Sequence, residues 1–201
     1  TYRYAPWQEE KLLNGLGDLH EKGLIKEIGL SNIGPKRLNF LYQTMKERGI
    51  KITSIQMQLS LLTKPSLEDE NIKNICDENE IEYLAYSPLG LGILTVPPNK
   101  SPKPKTFLRQ KLFERILPKT IELRTLITNI GKKYSASQAQ VALNWVRSHG
   151  AKPIVGIRNP LQAKDASSAL NWSLTKSEKE SLDFYRNKCL ANMPQNPFTS
   201  P

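Results

Sequence analysis

Cysteine and histidine are scarce in this 201-residue sequence, which has two of each. Cys76 and Cys189 stand far apart, with no CxxC pair and no histidine-rich neighbourhood, so a disulfide framework and the common zinc spacings are both excluded and no metal site is expected. Cys76 falls on the apolar face of a predicted helix, and both cysteines are read as reduced thiols. His20 and His149 lie on predicted helices away from strand ends and are read as surface or structural groups. Long apolar runs are missing as well. Nothing approaches the roughly 18 residues of a membrane span, and no basic leader followed by an apolar stretch opens the sequence. The expectation is a cytoplasmic protein with no membrane span, in which Asn171-Trp172-Ser173 is a chance match to the glycosylation sequon. Acidic residues are the scarcer charge, 19 against 29 basic, for a net charge of +10. The basic residues are spread along the chain, densest at Lys100, Lys103 and Lys105 and at Lys132-Lys133, with no interleaved stacking aromatics, no ribonucleoprotein motif and no zinc-finger spacing. They read as solvated surface, and no nucleic-acid partner is expected.

What is present is an alternation of short apolar strands and amphipathic helices. Leu12, Leu13, Leu16 and Leu19 recur at helical spacing between Pro6 and His20, with Gly23 as the stop. A strand is expected over 25–31. Pro35 then opens a helix whose Leu38, Leu41, Tyr42 and Met45 form an i, i+3, i+4, i+7 stripe ending near Gly49. A second strand spans 52–58. Ser66 and Asp69 suggest a capping interaction before a helix holding Ile72, Ile75 and Cys76, and a third strand spans 81–86. Residues 87–105 hold five prolines and read as a long irregular loop, which in a compact domain is usually functional. Helices are expected over 107–117, 121–133 and 137–147, a strand over 153–157, a helix over 160–169, and a last helix capped by Thr175 and Glu178.

Strand starts near 25, 52, 81 and 153 have the spacing of βαβ units, the last enlarged by the loop and an added helix. This pattern means a parallel sheet covered by helices. Two strands end abruptly in small polar residues, Ile28-Gly-Leu-Ser31-Asn32 and Ala85-Tyr86-Ser87-Pro88-Leu89-Gly90. In such folds strand C-termini face the ligand. Each feature also has a plain structural reading. Ser31-Asn32 could cap the helix that begins at Pro35, Tyr86 could be a core aromatic, and Gly90-Leu91-Gly92 lacks full dinucleotide-motif spacing.

Taken together and in order, Gly23 to Asn32, Gln56, Ala85 to Gly90 and Pro153 to Gly156 with Gln162 resemble the C-terminal half of an aldo-keto reductase. The resemblance covers Trp7 to Leu182. It implies an α/β fold, the C-terminal four-strand half of a (β/α)8 TIM barrel, with residues 1–190 forming the half-barrel and 191–201 an irregular tail. It implies NADPH as cofactor, hydride transfer to a small carbonyl substrate, and a flap over the cofactor at about 87–105. By position, Ser31, Asn32 and Gln56 match residues that hold the nicotinamide carboxamide, and Tyr86 matches the aromatic stacked on the ring. Ser87, Leu89 and Leu91 match positions that meet the pyrophosphate. Arg158 and Gln162 fall where the family contacts the 2′-phosphate and adenosine, with Asp165 near the adenine.

The sequence departs from the family's pattern at Ile55, Gly156, Ile157 and Ala166. The family's Asp, Tyr, Lys and His tetrad would precede Thr1, so no catalytic residue is assigned and this chain alone is expected to be inactive. A cofactor-binding regulatory module and a structural half-barrel that dimerises are the competing readings. The expected partners are correspondingly a second copy or an N-terminal half-barrel.

Overall fold

The structure, a computed structural model, describes residues 6–63, 67–102, 104–189 and 193–194. The described residues divide into two compact units, one made of 6–57 and 67–84, the other of 58–63, 85–102, 104–189 and 193–194. The first carries α1 (Pro6–Glu21), β1 (Ile28–Ser31), α2 (Pro35–Glu47), β2 (Ile52–Gln58, its last residue in the second unit) and α3 (Leu67–Glu78). Strand β3 (Glu82–Tyr86) passes from the first unit into the second, which holds α4 (Phe107–Ile116), α5 (Ile121–Lys133), α6 (Gln138–Ser148), β4 (Lys152–Pro153), α7 (Pro160–Ser168) and α8 (Lys176–Lys188). The strands are hydrogen-bonded in the order β1-β2-β3-β4, with β1 and β2 parallel.

In the first unit the helical stripe of α2 is buried as its spacing requires, at Leu38, Leu41 and Met45. Burying each such side chain contributes about 1.5–3 kcal/mol. Strand β2 buries Ile52, Ile55 and Met57, an interval of three and then two. The β1–β2 register accounts for the extra residue, because it shifts between Ile28 and Gly29, after which Gly29 faces Ser54 and Ser31 faces Gln56. A one-residue irregularity re-aims every later side chain. Strand β1 is shorter than the expected 25–31, since Lys26 and Glu27 are exposed. The Ser66–Asp69 cap lies outside the described residues.

In the second unit, α5, α6 and α8 pack around Ile127, Val141, Trp145 and Leu182. Two sequence expectations are corrected here. The stretch 153–157 forms only the two-residue β4. Pro153 has no N–H to give a ladder, Ile154 N–H reaches Ala85 O at 2.8 Å, and Ile157 is exposed. The loop 87–105 is not wholly irregular, for Gly90–Thr95 holds short 3₁₀ turns broken by a kink at Leu91 and Gly92 and anchored by buried Ile93 and Leu94.

The cap of α8 is the expected one. Glu178 N–H donates to Thr175 Oγ1 at 3.3 Å, and Thr175 N–H donates to Glu178 Oε2 at 2.9 Å. Lys133 Nζ and Tyr134 OH also donate to this carboxylate, at 2.7 and 2.9 Å. Burial pushes the Glu178 carboxyl up, but the hydrogen bonds from Lys133, Thr175 and Tyr134 outweigh it and hold it down at about 2. A carboxylate held below its ordinary value stabilises the fold above pH 4.5, and that contribution drains away as pH falls toward 2. Urea unfolding across that interval is expected to show stability falling with acidity, and Glu178→Gln is expected to flatten the decline.

Candidate functional site

Three of the residues singled out in the sequence meet at the ends of β1 and β2. Ser31 Oγ donates to Gln56 O at 3.2 Å, Asn32 Nδ2 donates to Ser31 Oγ at 2.9 Å, and Asn32 N–H donates to Gln56 O at 3.0 Å. Asn32 is buried in the left-handed region, φ 55°, a conformation that Asn tolerates better than most residues. The helix-capping alternative for this pair is ruled out, since the N-cap of α2 is Gly34 and carries no side-chain bond. The local result is a neutral patch of hydroxyl and amide groups at two strand ends. Such groups both donate and accept, as a primary amide partner requires.

In the second unit Tyr86 ends β3, half-buried, and its carbonyl accepts from Leu59 N–H at 3.3 Å. Ser87, Gly90, Leu91 and Gly92 then all take positive φ, at 54, 55, 54 and 91°. Gly90 is needed here because an added Cβ would stand 2.9 Å from Leu62 Cδ1. The bonds that shape the turn use the N–H groups of Gly90, Gly92 and Leu94, which donate to Ser87 O or Leu89 O. None of them uses the amides of Leu89 or Leu91. Leu89 is half-buried and Leu91 exposed. A run of left-handed residues of this kind makes a concave row of amides suited to an anion.

The last three candidates lie around α7. Arg158 and Gln162 are exposed and linked, Arg158 N–H donating to Gln162 Oε1 at 2.9 Å. Gln162 N–H in turn donates to Asn159 Oδ1, the N-cap of α7, at 2.9 Å. Asp165 is turned the other way, accepting from Ser137 Oγ at 2.8 Å and Gln140 Nε2 at 2.7 Å. It lines a recess of about 510 Å³ with Thr95, Thr128, Lys132, Ser137 and Gln138. Ser137 and Gln138, which line this recess, are not among the residues singled out in the sequence. A signal was present, because Ser137 caps α6 and accepts from Gln140 N–H, but a capping serine reads as structural. Among the described residues no three His, Cys, Asp or Glu side chains gather to hold a metal ion, and no helix is long and apolar enough to cross a membrane.

Comparison with known proteins gives these features a context. The model of the aldo/keto reductase family matches residues 3–186. A chloroplastic pyridoxal reductase of Arabidopsis thaliana is 40% identical over 198 residues, which is 98% of this chain and 54% of the relative. An NADPH-dependent alpha-keto amide reductase of Saccharomyces cerevisiae is 26% identical, over 86% of this chain and 48% of its own length. Among solved structures, a glycerol dehydrogenase from Gluconobacter oxydans superposes with a TM-score of 0.76 at 24% identity, over 98% of this chain and 59% of the other. The chain spans about half the length of the curated relatives it matches. Its α/β fold is that of this group, and the chain belongs to the aldo/keto reductase family.

Proposed function

We propose that this chain supplies the NADPH-holding part of a carbonyl reductase and none of its proton-transfer residues. The observation that carries the reading is the Ser31, Asn32 and Gln56 constellation, in which the Ser31 hydroxyl and the Asn32 amide meet beside the backbone carbonyl of Gln56, the register partner of Ser31, at adjoining strand ends. The remaining residues also fit the cofactor. The turn 87–92 has the left-handed amides and glycines that a pyrophosphate needs. The exposed Arg158 guanidinium suits a 2′-phosphate, which favours NADPH over NADH. The recess beside Asp165 has room for the adenosine end.

When bound, NADPH supplies the hydride that reduces a carbonyl carbon. In this reading Ser31, Asn32 and Gln56 orient the carboxamide and so choose which face of the ring is presented. Tyr86 gives that ring a flat surface, while Leu89 and Leu91 amides and Ser87 meet the phosphates. Gln162 and Asp165 flank the adenosine. The general acid that protonates the carbonyl oxygen corresponds to no position in this chain, so the chain alone is inactive and an N-terminal half-barrel is its natural partner. The 40% relative is a pyridoxal reductase by name, which makes an aromatic aldehyde of that kind the first substrate to offer the whole enzyme. A chain with only two cysteines, far apart in sequence and with Cys76 buried, fits the reducing conditions of the cytoplasm.

Titration with NADPH, following cofactor fluorescence, tests this. Saturable binding is expected, with Tyr86→Ala weakening it about tenfold through loss of ring stacking. An affinity that the substitution leaves untouched would remove Tyr86 from the site. A second reading, association through a half-barrel edge, is favoured by the exposed Ile154, Ile157, Leu161 and Leu170 around β4 and α7. A monodisperse monomer by light scattering would sink it.

A further inference from the structure

Residues 96–120 hold seven basic residues and one acidic residue, Glu114. This stretch lies in the second unit and contains α4. Helix α4 turns Phe113 and Ile116 inward, where both are buried. At 3.6 residues per turn the exposed residues Phe107, Leu108, Lys111, Glu114 and Arg115 share the opposite side, about a third of the helix circumference. Two of them are large and apolar. Phe107 is 69% exposed and Leu108 82%, adjacent on the first turn, although the inner face already supplies the packing of the helix.

Bonds to the preceding chain hold this face outward. Arg109 Nη2 donates to Leu91 O, and Gln110 Nε2 donates to Pro104 O at 2.8 Å. Cations flank the apolar pair. Lys100 and Lys105 precede it and are exposed, Lys111 Nζ stands 5.6 Å over the Phe107 ring, and Arg115 follows one turn further on. Among the described residues Lys111 pairs with Glu114 at 3.8 Å, while no carboxylate pairs with Lys100, Lys105 or Arg115. Apolar side chains on an outward helix face, ringed by cations, have the chemistry of an interfacial helix on anionic lipid. Nucleic acid suits the face less well, because Leu108 offers no ring for a base to stack on. A helix-binding groove in a protein partner would need apolar anchors at successive turns, and the positions one and two turns on are Lys111 and Arg115.

We propose that the outer face of α4 docks on an anionic lipid surface, with Phe107 and Leu108 entering the acyl boundary and Lys105, Lys111 and Arg115 meeting the headgroups. Long basic side chains suit that place, since their stems cover apolar surface while the charge stays in the polar layer. The attachment is peripheral and reversible, because two apolar side chains and a few cations hold far less strongly than a spanning helix. It is independent of the NADPH reading above.

The test is co-sedimentation of the whole chain with two kinds of vesicle, phosphatidylcholine alone and an equal mixture of phosphatidylcholine and phosphatidylserine. The chain is expected to bind the mixed vesicles about tenfold or more tightly than the neutral ones and to lose most of that preference in high salt. Phe107→Ser combined with Leu108→Ser is expected to weaken binding to the mixed vesicles about tenfold, and Lys105→Glu combined with Arg115→Glu to do the same. All four positions are exposed, so the variants are expected to keep the native circular dichroism spectrum. Leu161→Ser combined with Leu170→Ser removes exposed apolar side chains elsewhere and is expected to leave binding unchanged. Absence of binding to the mixed vesicles would overturn the proposal, as would equal binding to both kinds or an equal loss in the Leu161 and Leu170 variant. Binding that survives both α4 variants would place the contact elsewhere and also overturn it. If the serine variant alters only the mass by light scattering, the face meets a second copy of the chain and not lipid.

Discussion

Replacing Arg124 with alanine is expected to lower the free energy of unfolding by about 3–5 kcal/mol. Arg124 is 2% exposed and spends its guanidinium on neutral acceptors alone. Nη1 donates to Val96 O at 3.0 Å and Pro97 O at 2.7 Å, Nη2 to Leu117 O at 2.9 Å, and Nε to Thr120 Oγ1 at 3.1 Å. Burial lowers its pKa, yet an arginine stays charged at any ordinary pH. Alanine would leave buried carbonyls from two segments unsatisfied and open a cavity between them, and both effects act in one direction. Arg124→Lys keeps the charge but lacks the fork, so it is expected to recover only part of the loss. Urea unfolding of the three proteins measures this. Equal midpoints would mean that water replaces the guanidinium at no cost.

The same side chain shows why the loop it holds could be only half read from the sequence. Five prolines and the glycines at 90 and 92 mark 87–105 as a long connection. Its Gly90–Thr95 turn depends on burial of Ile93 and Leu94 and on anchors from helices further along the chain, and such contacts leave no local pattern. Helices were legible where one face is apolar, as in α2, or where a cap is written in the chain, as with Thr175 and Glu178. Strand ends were less so. Strand β4 loses its ladder at a proline, and the buried positions of β2 follow a register shift that has no signature in residue types. Within the candidate site, Ser31, Asn32 and Gln56 were legible because strand position alone brings them together. Asp165 was placed by its neighbour Gln162 in sequence, yet its partners are Ser137 and Gln140 on another helix.

Trp145 should be at least as sensitive as Arg124. It is fully buried in α6, and its Nε1–H donates to Asp183 Oδ1 at 2.7 Å. The His149 ring lies 4.5 Å away by centroids, and the Arg186 guanidinium stands 5.2 Å over the indole. Asp183 also accepts from His149 Nε2 at 3.0 Å and Lys179 Nζ at 2.8 Å. Burial raises the Asp183 pKa, but these donors prevail and hold it below its ordinary value. Trp145→Ala removes the largest side chain of the α6 core together with one donor to that carboxylate, and is expected to cost about 3–5 kcal/mol. Trp145→Phe keeps a ring and loses the N–H, so its cost should be nearer 1–2 kcal/mol. The contrast between the two variants, read as urea midpoints with unchanged slopes, separates cavity from hydrogen bond. If phenylalanine proves as damaging as alanine, the bond to Asp183 rather than ring packing holds α6 against α8. Acid should then act on the phenylalanine variant less than on the native chain, because Asp183 with one donor fewer has a pKa closer to its unfolded value and its stabilising contribution to be lost as pH falls is correspondingly smaller.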